Sequence, residues 1–495
     1  MAQRTNILQF ISANLSETPT LARERTSLRG VPLNYRRAYS RFVSRAEQFR
    51  TKYSIRFGDE DYSQETKILL MPGLRGVGKT TVLFQLYQYL INEMRWPRER
   101  VLYFSADEST DYLGAQIYDI ISVFTEDVLH TSLINIDQPT FILVDEAHYD
   151  RDWDLAAKMI SDKTRNIFLL LTGSSALDME MGADLARRAE KQAIFPLNFS
   201  EYLLLKHDFY PPKGTANTIR ECLFSPADTV IDDASKLWGE LKTKLFSIGS
   251  PLEKEFERYL SVGGFPFGIH KNFTLTYEWT FGIIDKIIDK DLLTRDSFKT
   301  ETKENVTRII YFLALKKPGA TSVNNLAKDL QISNTSVSKI LSALEKTHLI
   351  FSVKPLGGTK TAKKPWKYYF SSPALIAAIR AKLGRYDPTD ADTRGLLTET
   401  LVASYFFRLK EVIYPALGCF YDPQKKDETD VDFLVAASGD NIIPIEVSSG
   451  EKDNRQITAS IKKHHADYGI VISNRDEMSQ IDKIIRLPLV FFSFV

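Results

Sequence analysis

Residues Gly73-Leu74-Arg75-Gly76-Val77-Gly78-Lys79-Thr80-Thr81 constrain this chain more than any other stretch. Gly73, four intervening residues, then Gly78-Lys79-Thr80 is the spacing of a phosphate-binding loop. The apolar run Ile68-Leu69-Leu70-Met71 precedes it, and Val82, Leu83, Leu86 and Leu90 follow at helical spacing. Strand, glycine loop and helix are the context such a loop needs, which a glycine-rich turn that binds nothing would not require. Gly73, Gly76 and Gly78 let backbone amides turn inward, where with the helix N-terminus they nest anionic oxygens. Lys79 is placed to reach the outer phosphates, Thr80 to ligate Mg²⁺, and Thr81 to continue the amide cradle. The expected cofactors are ATP and Mg²⁺.

A chain of 495 residues exceeds a single core, so several domains are expected. Its net charge of +1 supports no global attraction to nucleic acid, and any basic surface must be local. The sequence shows no membrane-length apolar run and no signal-peptide pattern, so a cytoplasmic protein is expected. Cys222 and Cys419 stand far apart without metal-ligand or redox spacing. The stretch to about Arg56 is basic: eleven Lys and Arg face only Glu17, Glu24 and Glu47. A helix fits Tyr35 to Tyr53; a solvated face and a nucleic-acid contact are both open for its charges.

From Thr66 onward, short apolar runs alternate with helical stretches: Val101 to Phe104, Phe141 to Val144 and Ile167 to Leu171 are strands. That alternation indicates a parallel sheet covered on both faces. Phe141-Ile142-Leu143-Val144-Asp145-Glu146 ends a buried strand in two carboxylates, at the strand end where open α/β sheets bind ligands. Asp145 would hold Mg²⁺ and Glu146 polarise the attacking water, a pairing that signals hydrolysis. The strand at Val101 lies between the two motifs in sequence and is read as the added strand separating them. Thr172 or Ser174, ending the next strand, could sense the terminal phosphate or cap a helix. Arg188 could neutralise transition-state charge, in its own chain or a neighbour's.

The runs Leu171-Thr172-Gly173-Ser174-Ser175, Leu185-Ala186-Arg187-Arg188-Ala189-Glu190 and Pro196-Leu197-Asn198-Phe199-Ser200-Glu201-Tyr202-Leu203 resemble the archaeal and bacterial AAA-type ATPases. In that family a C-terminal domain of unknown function, with a restriction-endonuclease-like fold, follows the ATPase. The resemblance covers most of the chain from about Thr66, with Arg187-Arg188 where the family has glycine-arginine.

Ser322 to Leu349 reads as two helices around a tight turn, with a helix before and strands after, a winged-helix pattern. Asn334, Thr335, Ser336, Ser338 and Lys339 lie on its second helix, and Lys354, Lys360, Lys363, Lys364 and Lys367 in the wing. Those lysines would give salt-dependent phosphate affinity; packing against protein is the competing use. In the last block, Glu399 on a helix, Asp432 entering a strand and Glu446 on the next resemble a restriction-endonuclease arrangement. These three form a possible second metal site. Residue 448 is serine where that arrangement has lysine, so little or no cleavage is expected, though Lys452 or Lys463 could reach in.

The expected fold is therefore a multidomain α/β chain. A basic arm and helix occupy 1–56, a parallel-sheet P-loop ATPase 57–205, and a helical lid 206–300. A winged helix follows at 301–385 and a restriction-endonuclease-like domain at 386–495. The expected role is an Mg²⁺-dependent, ATP-hydrolysing, DNA-associated switch, possible protein partners and a homo-oligomer included. The rivals are a signalling or scaffold ATPase that recognises a protein, and an active nuclease in defence.

Overall fold

The computed structural model describes residues 2–27, 39, 42–44, 46–47, 67–174, 182–292, 300–316, 321–357, 364–423, 431–437, 441–448 and 454–495. These fall into two compact units, Met1–Ile194 and Phe195–Val495.

The first unit is built on a five-stranded sheet of order β2-β3-β4-β1-β5. Its strands are β1 (Ile68–Pro72), β2 (Val101–Ser105), β3 (Thr140–Asp145), β4 (Ile167–Gly173) and β5 (Ala189–Lys191). All pair in parallel, so their C-terminal ends share one edge, with Pro72 beside Gly173 and Ser105 beside Asp145. The central strands are buried along their whole length, as near-continuous apolar runs between two helical layers should be. One expectation needs correction. The strand that separates the two nucleotide motifs in space is β4; β2 lies at the sheet edge.

The α-helices of this unit include α1 (Ala2–Ser27), α2 (Lys79–Gln88), α3 (Ala106–Leu113), α4 (Ile117–Val123), α5 (Trp153–Lys163) and α6 (Ala183–Ala186). Helix α1 belongs to the core through Ile7 and Ile11. Arg4 is tied to Glu126 and Asp127 at 2.8 and 2.7 Å, and Arg25 lies over the Phe84 ring. Part of the N-terminal basic count is thus spent within the unit. Of the expected helix at 35–53, the described residues 39, 42–44 and 46–47 are helical; the rest lies outside the described residues.

The second unit opens with helices α7 (Phe199–His207), α8 (Thr215–Phe224), α9 (Asp228–Leu245), α10 (Leu252–Val262) and α11 (Phe273–Lys286). Gly263 and Gly264 follow α10, and their role is packing. A Cβ on Gly263 would come within 2.6 Å of the Tyr259 Cα, and one on Gly264 would overlap the Ser372 hydroxyl. Next come α12 (Thr300–Leu315), α13 (Val323–Leu330) and α14 (Asn334–Lys346), the last two capped by Ser322 and Ser333. Between them the chain turns at Gln331, with φ of 56°. Strands β6 (Ile350–Pro355) and β7 (Lys367–Phe370), then helices α15 (Pro373–Lys382) and α16 (Ala391–Val412), lead into the terminal sheet.

That sheet comprises β8 (Gly418–Tyr421), β9 (Phe433–Ala436), β10 (Ile442–Ser448), β11 (Gly469–Ser473), β12 (Ser479–Ile481) and β13 (Ile484–Pro488), with helices α17 (Arg455–Lys463) and α18 (Leu489–Phe492). Lys354 and Pro355 of β6 pair in parallel with Phe420 and Tyr421 of β8. The β6–β7 hairpin therefore continues the terminal sheet, giving eight strands in the order β12-β13-β11-β10-β9-β8-β6-β7.

Candidate nucleotide site

The loop from Gly73 to Gly78 connects the end of β1 to the start of α2. Gly76 and Gly78 have φ of 80° and 99°, a region L side chains rarely enter. Gly73 is needed for another reason: a Cβ there would collide with the Ile194 carbonyl, which is bridged to it. Lys79 is buried and donates to the carbonyls of Gly73 and Leu74 at 3.0 and 3.3 Å. Its ammonium is thus held at the loop, where phosphates would take over those bonds.

Thr80 donates to Asp145 Oδ2 at 2.6 Å. The hydroxyl of Thr172, wholly buried on β4, donates to Asp145 Oδ1 and accepts from the Glu146 amide at 3.1 Å. Burial pushes the Asp145 carboxyl above its usual range and the charge of Glu146 adds to this, against hydrogen bonds from Thr172 and Thr80 and the charge of Lys79. Ser174 Oγ, at the strand end, is buried without a hydrogen-bond partner among the described residues. A buried carboxylate with two hydroxyls on it and an orphan hydroxyl nearby fit Mg²⁺ and a phosphate oxygen. Thr80 and Asp145 would hold the ion, which screens phosphate charge when bound.

Glu146 adopts a left-handed backbone, φ 49° and ψ 39°, ahead of a single 3₁₀ turn, Ala147–Tyr149. Such a residue costs on the order of 1 kcal/mol or more and is kept only where its surroundings determine it. Its carboxylate lies 3.3 Å from His148 Nδ1 through one oxygen and 3.9 Å from Arg75 through the other. Arg75 also donates to the Tyr149 hydroxyl at 3.1 Å, and the Ser174 amide donates to His148 Nδ1 at 3.3 Å. Sequence reasoning missed Arg75, His148 and Tyr149. The available signals were an arginine inside the glycine loop and a histidine two residues past the glutamate.

Arg188 is not brought to this cluster. It pairs with Asp162 near the start of β5, whose first residue Ala189 lies beside Ile68 at the opposite sheet edge. Thr80, Thr81 and Lys79 lie at the N-terminus of α2, with the glycines before them.

Two of the three candidate carboxylates of the second unit hold hydrogen bonds within it. Glu399 accepts from the Tyr369 hydroxyl at 2.6 Å, and Asp432 Oδ2 accepts from the Val447 amide at 2.7 Å. Glu446 and Ser448 are buried on β10. Among the described residues no three His, Cys, Asp or Glu side chains gather where they could hold a metal. Of the expected second metal set Glu399, Asp432 and Glu446, the first two are held by hydrogen bonds that join neighbouring elements. Lys463 pairs with Asp422 at 2.7 Å, and Lys452 lies outside the described residues. The lysine actually beside Glu399 is Lys367 of β7, at 4.0 Å, which donates to the Asp432 carbonyl at 3.4 Å.

Of the wing lysines, Lys354 stacks on Trp366 and Lys364 donates to the Pro423 carbonyl at 2.8 Å. Lys360 and Lys363 lie outside the described residues. On α14, Asn334, Thr335, Ser338 and Lys339 are exposed. No helix among the described residues is long and apolar enough to cross a membrane. Both cysteines are free thiols, and burial pushes that of Cys222 up to about 12.

Residues 65–203 match the AAA domain; 253–386 and 394–492 match two domains of unknown function, DUF8612 and DUF4143. The uncharacterized protein MJ1637 of Methanocaldococcus jannaschii is 30% identical over 429 residues, which span 86% of this chain and 84% of that protein. An uncharacterized protein of Haemophilus influenzae is 24% identical over 444 residues, spanning 87% and 94%. Among solved structures, the Aeropyrum pernix ORC2 protein in ADPNP-ADP complexes matches at 13% identity and a TM-score of 0.33, over 73% of this chain and 98% of that one. A score that low bears on nothing further.

Proposed function

Because this chain belongs to one family with MJ1637 of Methanocaldococcus jannaschii and matches the AAA domain over residues 65–203, we propose that it hydrolyses ATP with Mg²⁺ and acts as a DNA-associated switch. The observation that carries hydrolysis is the Thr80–Asp145–Thr172 hydrogen-bond chain with Glu146 beside it, at the strand ends facing the glycine loop. Backbone amides at the start of α2 and Lys79 would bind the phosphates. Thr80 and Asp145 would hold the ion, and Glu146 would accept the proton of the attacking water.

DNA contact rests on α14. We read α12 to α14 with the β6–β7 hairpin as a winged helix and the terminal sheet domain as restriction-endonuclease-like. The exposed Thr335, Ser338 and Lys339 are free of the helix's own packing, while Val337, Ile340 and Leu341 are buried. Phosphate affinity would come from α14, since Lys364 and Lys367 bond within the protein. The rival, a scaffold ATPase that recognises a protein, predicts the same ATP chemistry without a DNA response. Phosphate release with and without duplex DNA, at low and moderate salt, separates the two. Stimulation that fades with salt supports the switch, and turnover indifferent to DNA supports the scaffold.

A further inference from the structure

Glu146 must present its carboxylate to water in one orientation, and its backbone alone does not ensure this. The residue leads a single 3₁₀ turn, and its side chain is 18% exposed. Side chains lie on both sides of the carboxylate. His148, only 5% exposed, puts Nδ1 3.3 Å from one oxygen. Arg75, leaving the glycine loop itself, puts a guanidinium nitrogen 3.9 Å from the other. Arg75 bonds Tyr149, and the Tyr149 and His148 rings are 4.8 Å apart.

The Nδ1 atom of His148 has two neighbours, because the Ser174 amide at the end of β4 donates to it at 3.3 Å. One nitrogen cannot at once accept from an amide and donate to a carboxylate. The imidazole therefore either bonds Ser174 with its lone pair or, carrying a proton there, bonds Glu146. Ser174 is also the residue whose buried hydroxyl has no partner among the described residues. A group that draws on Ser174 would thus reach Glu146 through one imidazole.

We propose that His148 is a positioning residue for hydrolysis, which sets the pose of the Glu146 carboxylate and links it to the end of β4 at Ser174. The inference rests on the hydrolysis reading above. His148 touches neither phosphate nor water in this scheme and acts only through Glu146. Arg75 lies on the other side, 3.9 Å from the opposite oxygen.

The test is steady-state turnover and ATP affinity in the full chain carrying His148→Ala, His148→Asn, Glu146→Gln and the double variant His148→Ala/Glu146→Gln. Misplacing a reacting group by about 1 Å costs roughly 100-fold, so His148→Ala should lose about 10- to 100-fold in kcat. Its affinity for a fluorescent ATP analogue and its melting temperature should stay near those of the parent. Asparagine, whose amide can occupy the Nδ1 position, should recover most of the loss. In the Glu146→Gln background the alanine should cost nothing more. A His148→Ala kcat within about twofold of the parent, or the same loss with Glu146 already replaced, overturns the proposal. Imidazole ¹⁵N shifts of selectively labelled protein give a readout independent of turnover. If the parent chain hydrolyses no ATP, the functional reading fails; the positioning contact then stands or falls on whether Glu146→Gln moves the His148 signals.

Discussion

Thr172 is the hinge of the nucleotide site, and replacing it with valine isolates its hydroxyl, since valine keeps nearly the same volume in a site with no exposure. The hydroxyl makes two bonds. It donates to the buried carboxylate of Asp145 and accepts from the amide of Glu146, which also donates to Asp145 Oδ1 at 3.2 Å. A hydrogen bond to a charged group contributes about 1.5–3 kcal/mol and one between neutral groups about 1. Asp145 would then keep Thr80 as its side-chain donor, in a place where burial already disfavours its charge. Thr172→Val should therefore raise the Mg²⁺ concentration for half-maximal turnover by roughly 10-fold or more and lower the melting temperature. Thr172→Ser keeps the hydroxyl and should stay close to the parent in Mg²⁺ dependence. The assay is phosphate release against free Mg²⁺ at saturating ATP, with thermal unfolding alongside. An unchanged Mg²⁺ dependence in the valine variant would refute the claim that Thr172 sets the ionisation and orientation of Asp145.

Glu146→Gln should bind ATP as the parent does and turn over about 10²- to 10⁴-fold more slowly; unchanged turnover removes Glu146 from the mechanism. In the second unit burial pushes Glu255 up, but hydrogen bonds from Lys206, Tyr202 and His207 outweigh it and hold the carboxyl at about 2, below its ordinary 4.5. A depressed carboxyl stabilises the fold fully above its unfolded value. That contribution, on the order of 3 kcal/mol, is lost as pH falls from about 4.5 to 2. Glu255→Gln should flatten the acid side of a melting-temperature profile in that window, and a parallel profile would reject the assignment. Gly263→Ala should destabilise by about 1–3 kcal/mol, because the new Cβ would meet the backbone of Tyr259 and the ring of Tyr202 at 2.6 and 2.9 Å. Chemical denaturation checks this.

Strands β1 to β4 were legible because each contains a short apolar run, as Phe141 to Val144 shows. The glycine loop was legible because two of its glycines need positive φ that few other residues adopt. Spatial order was not legible: β4 follows β3 in sequence yet pairs with both β1 and β3, so it lies between them. Strand β5 has three half-buried residues, Ala189, Glu190 and Lys191, and no periodicity that could announce it. Arg75 and His148 went unread because their meaning is a contact across the site. The partners of the terminal carboxylates were not legible either. Glu399 and Asp432 carry the right residue types in the right order, yet a tyrosine hydroxyl and a backbone amide hold them.

The shared sheet of the second unit changes what a switch here can be. The sequence invites a picture in which a winged helix and a terminal domain are separate bodies, each repositioned by ATP. Lys354 and Pro355 bond edge to edge with Phe420 and Tyr421, Tyr369 of β7 bonds Glu399 on α16, and Lys367 of β7 bonds the Asp432 carbonyl. Parting the hairpin from the terminal sheet would break ladder bonds and leave the buried Tyr369 without its partner, at about 1–3 kcal/mol for each buried group left unpaired. The hairpin and the terminal domain should thus move as one piece, carrying α14 with them. A disulfide engineered between β6 and β8, at the paired positions Lys354 and Phe420, should then leave any response to ATP and DNA intact. Loss of that response on oxidation, and its return on reduction, would show that the two parts must separate.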